Sequence, residues 1–135
     1  MPTFPETTKR LVRRWNRQAR LYDRLTAPME RMLGLVRGRA GVFERVAKGR
    51  MLEVGAGTGK NLPYYPERAL VVASDLSPGM LARAVEKARD RSRAVRFVVT
   101  DAEDLAFRDG SFDTVLATCV FCTVPDPVRG LREAR

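Results

Sequence analysis

Residues 50–61 read Arg50-Met51-Leu52-Glu53-Val54-Gly55-Ala56-Gly57-Thr58-Gly59-Lys60-Asn61, a short apolar run that meets three glycines in five residues. The apolar run predicts a strand over 50–54, and the glycines predict a loop after it. Glycine is needed where the backbone turns left-handed, or where a ligand comes closer than a Cβ would allow. Three of them at the end of a strand therefore speak for a ligand loop rather than a plain turn. Two phosphate-binding readings fail on residues they require. A dinucleotide fingerprint starting at Gly55 needs glycine at position 60, where the chain has Lys60. A P-loop ending in Gly59-Lys60 needs glycine at 54 and Ser or Thr at 61, where the chain has Val54 and Asn61.

Downstream of the loop, residues 69–74 predict a second strand that ends at Asp75. Ser77 is placed to cap the following helix and Pro78 fits its first turn. That helix runs through Met80, Leu81, Ala84, Val85 and Ala88, and further strands are expected at 95–99 and 112–118. Strands alternating with helices predict an α/β fold with a parallel sheet and right-handed crossovers. Asp75 lies twenty residues after Gly55 at a strand end. A carboxylate there can accept hydrogen bonds from both ribose hydroxyls of a nucleoside. Ligands bind outside the carboxyl ends of such strands, so Thr118 and Cys119 are expected near the reactive part of the ligand. Residues 126–135 open a helix, and no fifth strand follows. The fourth strand is thus expected at an exposed edge, in a chain that is truncated at its C-terminus or completed by another chain, a second copy included.

Upstream, residues 8–25 predict one amphipathic helix with Leu11, Trp15, Ala19, Tyr22 and Leu25 at spacings of three and four and arginines around them. Pro28 is expected to break or restart it, Met29, Met32, Leu33 and Val36 begin a second stripe, and Gly38 and Gly41 interrupt that one. The chain thus divides into a basic helical segment over 1–48, lid-like or membrane-facing, and a ligand-binding half-domain over 49–135.

The chain has 135 residues, enough for one domain, and its composition of 44% hydrophobic and 30% charged residues is that of a folded globular protein. Residues 1–50 carry thirteen Lys/Arg against four acids, while residues 51–135 carry twelve of each, so the whole +9 charge sits before the glycine loop. Such asymmetry points to an anionic partner: phospholipid headgroups, nucleic acid or an acidic surface. No apolar stretch approaches the roughly eighteen residues of a membrane span, and the N-terminus lacks an apolar signal core. A cytoplasmic protein, peripheral at most to the inner membrane face, is expected. Cys119 and Cys122 form a C-x-x-C pair, but two sulfurs with no histidine do not make a zinc site, so no metal is expected. Both cysteines are read as small buried residues, Cys119 at most lining the pocket.

The order acid-x-G-x-G-x-G, Asp75-Leu76-Ser77-Pro78-Gly79-Met80-Leu81, Asp101-Ala102-Glu103-Asp104-Leu105 and Thr118-Cys119-Val120-Phe121-Cys122-Thr123-Val124-Pro125-Asp126-Pro127 resembles class I S-adenosylmethionine-dependent methyltransferases. The resemblance spans residues from about 15 to 130 and is nearest to the branch of quinone C-methyltransferases and phosphatidylethanolamine N-methyltransferases. It implies a Rossmann-like three-layer fold with the first four strands of the family sheet, preceded by N-terminal helices. It also implies S-adenosylmethionine as cofactor and S-adenosylhomocysteine as product. The ligand carries a sulfonium and an ammonium but no phosphate, which suits an acid such as Glu53 beside the loop. The implied contacts are Glu53, Gly55, Gly57, Gly59 and Asn61 around the loop and Asp75 on the ribose. Leu76 and Met80 would flank the adenine, with Asp101, Ala102 and Glu103 at its edge. Thr118 and Cys119 would lie near the methyl, and Tyr22, followed by Asp23, at the lip. Tyr22, Asp23 and Cys119 are the groups near enough to serve as a general base, and none is singled out as catalytic. The implied acceptor is a small molecule associated with lipid, a phospholipid amine or a quinone precursor, with nucleic-acid methylation, or a truncated cofactor-binding module without catalytic activity, as the alternatives. The basic helix bearing Trp15, with Arg13, Arg14 and Arg17, is expected to meet an anionic membrane.

Overall fold

The computed structural model describes residues 3–46, 49–91 and 94–135. The expected boundary at residue 48 lies outside the described residues. Four parallel strands form one sheet: β1 (Gly49–Val54), β2 (Ala69–Asp75), β3 (Val95–Val99) and β4 (Thr114–Ala117), in the order β3-β2-β1-β4. The fold is the Rossmann-like α/β arrangement expected, with β4 confined to four residues of the predicted 112–118. The register aligns the carboxyl ends: Val54 pairs with Ser74 and Ala117, and Asp75 pairs with Val99. The strand order reverses beside β1, where β2 leaves to one side and β4 lies on the other. That is where open α/β sheets bind ligands.

β1 is buried on both faces, with Met51, Leu52, Glu53 and Val54 all at or near zero exposure. Successive side chains alternate, so Met51 and Glu53 share one face while Leu52 and Val54 share the other. Met51 joins Phe43, Leu62, Tyr65, Val71, Ala88 and Leu116 in the main core cluster. A second cluster of Ala56, Ala73 and Leu81 lies nearer the ligand loop. A 3-10 turn (Leu62–Tyr64) follows the loop, and the helix that leads from β2 to β3, Pro78–Arg89, is capped by Ser77, whose Oγ accepts the Met80 N–H.

The N-terminal segment differs from the sequence expectation. It forms α1 (Glu6–Gln18), α2 (Tyr22–Met32) and α3 (Leu35–Phe43), ahead of α4 (Pro78–Arg89) and α5 (Pro127–Glu133). The helix predicted over 8–25 breaks at 19–21, where Ala19 is buried. Pro28 lies inside α2 and does not break it. It forgoes one intrahelical bond, to the carbonyl of exposed Arg24, which water can satisfy. The break falls instead at Gly34, whose φ of 67° is left-handed. Gly38 and Gly41 do not interrupt α3, because both sit on its open side. Among the described residues no helix is long and apolar enough to cross a membrane.

Candidate functional site

A crevice of about 680 Å³ opens at the carboxyl ends of the strands, within the size range of small-molecule sites. Its floor is Val54, Gly55 and Gly57 after β1 and Ser74, Asp75 and Leu76 after β2, with Met80 from α4. Thr100, Asp101, Ala102 and Glu103 close one side, and Cys119, Val120, Thr123, Val124 and Pro125 close the other. Tyr22 and α1 form the roof.

Three glycines with positive φ do three different things. A Cβ on Gly55 would meet Val120 Cγ2 at 2.2 Å, so this glycine admits the segment after β4. A Cβ on Gly59 would meet Leu62 and Ala84, so that glycine serves helix packing and does not line the crevice. Only at Gly57 would a Cβ point into open space, and there the backbone is bare toward the crevice.

Asp75 stands beside it. Its Oδ2 accepts the Gly57 N–H at 2.9 Å and its Oδ1 accepts the Ser77 N–H at 2.8 Å. Burial pushes this carboxyl above the usual range, against the pull of the N–H groups of Ser77, Gly57 and Leu76. Each oxygen keeps a second lone pair for a ligand.

α1 lies over the crevice, the position that the lid-like reading of the N-terminal segment anticipates. Thr7, Thr8, Arg10, Leu11, Arg14 and Trp15 line the crevice, while Arg13 and Arg17 of the same helix are exposed on its outer side. Asn16 fastens the helix: its Oδ1 accepts the Ser77 hydroxyl at 2.6 Å and the Gly79 N–H at 2.8 Å. Trp15 meets Tyr22 edge-on, with ring centroids 6.1 Å apart. The Tyr22 ring carries Lys60 Nζ 4.8 Å from its centroid. Burial and the nearby Glu30 carboxylate raise the Tyr22 hydroxyl above its ordinary value. Asp23 is also committed: it accepts Thr58 Oγ1–H at 2.5 Å and pairs with Lys87 at 2.6 Å.

Glu53, Asn61 and Thr118 do not line the crevice. They belong to a buried polar network beneath it. Glu53 is fully buried and accepts hydrogen bonds from Asn61 Nδ2 and the Tyr65 hydroxyl. Burial raises its pKa despite those bonds and the nearby Arg39. Arg39 donates from Nη1 to Asn61 Oδ1 and to Thr118 Oγ1, both at 2.9 Å, and from Nη2 to Glu30 at 3.2 Å. Lys60 pairs with Glu30 at 2.6 Å and donates to Thr26, turned away from the crevice. Glu53 sits on the Met51 face of β1, away from the ligand side, which is why its charge meets this network and not the crevice.

Asp101 and Ala102 line the crevice, and Asp101 Oδ1 accepts the Glu103 N–H at 3.0 Å. Glu103 also lines it, but its Oε1 accepts the Asp126 N–H at 2.8 Å and ties the segments after β3 and β4 together. The cysteines are free and exposed rather than buried. β4 stops at Ala117, and Cys119 adopts φ 56°, which swings the segment out over the crevice.

Fold and crevice are those of the class I S-adenosylmethionine-dependent methyltransferases. The chain belongs to the methyltransferase domain family, whose model matches residues 52–135, and the cofactor of this class is S-adenosylmethionine. The chain is similar to the phosphatidylethanolamine N-methyltransferase of Cereibacter sphaeroides, 41% identical over 101 residues that cover 72% of this chain and 49% of that one. It is also similar to the thiol S-methyltransferase TMT1B of Homo sapiens, 36% identical over 104 residues that cover 74% of this chain and 41% of that one. Its fold matches the solved DhpI–SAH complex with a TM-score of 0.70, 26% identity, and coverage of 94% of this chain and 63% of that one. The chain spans about half the length, or less, of these curated relatives. The crevice suits the cofactor's charges. It presents bare backbone at Gly57, carboxylates at Asp75, Asp101 and Glu103 for the cationic sulfonium and ammonium, and Arg10 and Arg14 in the roof for the carboxylate.

Proposed function

We propose that the crevice holds S-adenosylmethionine and that the whole protein transfers its methyl group to a lipid-associated small molecule, a phospholipid amine or a quinone precursor. Asp75 would accept the ribose hydroxyls, Leu76 and Met80 would flank the adenine, and Asp101 with the Ala102 N–H would read its edge. The aminoacyl end would lie along Gly55 and Gly57 under Tyr22, with Arg10 and Arg14 near its carboxylate. The reading rests on one observation: Asp75 and Gly57, hydrogen-bonded to each other, sit at the floor of the one crevice into which all four motif segments converge. When bound, the cofactor supplies an already activated methyl group. The protein's part is to hold the reactants in line and keep water out. The α1 roof, closed by Asn16, does the second, and we assign the N-terminal segment this lid role. The acceptor reading is supported by the similarity to a phosphatidylethanolamine N-methyltransferase.

Calorimetric titration tests the cofactor: S-adenosylmethionine binds and NAD does not. Transfer of labelled methyl groups by the full protein to phosphatidylethanolamine, a demethylated quinone and a small thiol then sorts the acceptors. Labelling of the thiol alone overturns the lipid reading.

A further inference from the structure

The structure points to a different membrane face from the one the sequence suggests. We infer that the outer face of α2 and the start of α3, not α1, docks on an anionic lipid surface. This inference is independent of the methyl-transfer reading, since it concerns a surface outside the crevice.

Leu21, Leu25, Met29 and Met32 recur at spacings of three and four along α2, and all are exposed, Leu25 at 70% and Met32 at 79%. Leu33 and Val36, at the turn into α3, extend the exposed apolar surface. The opposite side of α2 is fully engaged: Tyr22 faces the crevice, Thr26 and Glu30 hold Lys60, and Asp23 holds Thr58 and Lys87. An amphipathic helix normally buries its apolar stripe and exposes its polar one. Here the polar side is inward and the apolar side faces out. Soluble proteins rarely leave such a stripe uncovered unless it meets a partner.

Charge identifies the partner. Both acids of α2 are spent on inward bonds, while Arg20, Arg24, Arg31 and Arg37 remain exposed around the stripe. Exposed Leu and Met flanked by arginine alone match an anionic bilayer, where the apolar side chains enter the headgroup boundary and the cations stay above it. A second copy would set arginine against arginine across the interface. RNA offers phosphates but no use for four exposed aliphatic side chains. α1 is excluded as the docking helix because Leu11 and Trp15 are turned into the crevice.

Vesicle flotation of the full chain tests this, using phosphatidylcholine vesicles with and without about 30% phosphatidylglycerol. The chain should float with the anionic vesicles and not with the neutral ones. Leu25→Gln/Met29→Gln/Met32→Gln should reduce partitioning more than tenfold, and Arg24→Gln/Arg31→Gln should reduce it roughly thirtyfold. Arg13→Gln/Arg17→Gln removes the same net charge from the exposed side of α1 and should leave partitioning within about twofold. Circular dichroism and S-adenosylhomocysteine binding confirm that each variant is folded. Equal loss in the α1 and α2 arginine variants, or no loss in the aliphatic variant, overturns the inference. So does equal flotation with neutral vesicles, or a solution dimer that the aliphatic variant dissociates.

Discussion

Asn16 Oδ1 lies 2.8 Å from the Gly79 N–H, and a Cβ on Gly79 would fall at that same 2.8 Å from the oxygen and 3.1 Å from Asn16 Cα. The contact fixes α1 against the first turn of α4 and thereby closes the crevice. Asn16→Ala removes both of its bonds to α4, and two such bonds contribute on the order of 1–3 kcal/mol. S-adenosylhomocysteine affinity should therefore fall about tenfold. Gly79→Ala should weaken binding similarly, by pushing the helix away. Calorimetry of both variants checks this, and unchanged affinity would mean that α1 does not cover the ligand.

Gly55 and Gly57 should respond differently to alanine. Both pay the left-handed strain of about 1–2 kcal/mol. Only Gly55→Ala also collides with Val120, so its urea midpoint should drop further and should recover in part in Gly55→Ala/Val120→Ala. Gly57→Ala should leave the fold closer to the parent and lose cofactor binding, because its methyl group enters the crevice.

Asp75 sets a pH dependence of binding. Burial holds its carboxyl above 3.8, and only the ionised form accepts two hydroxyl hydrogen bonds while keeping those from Gly57 and Ser77. Affinity for S-adenosylhomocysteine should fall as pH drops through that raised value, and Asp75→Asn should flatten the profile. A titration series by calorimetry reads both.

Asp23 works in the opposite direction on stability. Burial raises its pKa, but the hydrogen bonds from Lys87 and Thr58, with the charges of Lys87 and Lys60, lower it by more. A depressed folded pKa stabilises the fold above the unfolded value of 3.8, and this is lost as pH falls through the folded value. The melting temperature of the parent should exceed that of Asp23→Asn near neutral pH. The gap should close in acid. Thermal unfolding at several pH values measures it.

The strand–glycine–strand order was legible because parallel strands read as short apolar runs and the loop needs glycine. So was the place of Asp75, Leu76, Met80, Asp101 and Ala102 along the crevice, since they lie at the end of β2, in the first turn of α4 and just after β3. The direction of Glu53 was not. A strand buried on both faces shows no alternation in sequence, so nothing told whether Glu53 or Val54 met the ligand. Thr118 was assigned to the crevice by its position after β4, but its hydroxyl is held by Arg39 and Asn61 on the other side. Arg39 itself looked like one more surface arginine, because its partners are 9, 22 and 79 residues away. The break at 19–21 was hidden for a related reason: Ala19 and Tyr22 keep helical spacing across it.

The most direct test is a crystal structure of the chain with S-adenosylhomocysteine. The ribose should sit on Asp75, the adenine between Met80 and Ala102, and the aminoacyl end along Gly57 beneath Tyr22. A nucleoside bound elsewhere, or a crevice that stays empty at saturating ligand, would contradict the assignment of this cleft as the methyl-donor site.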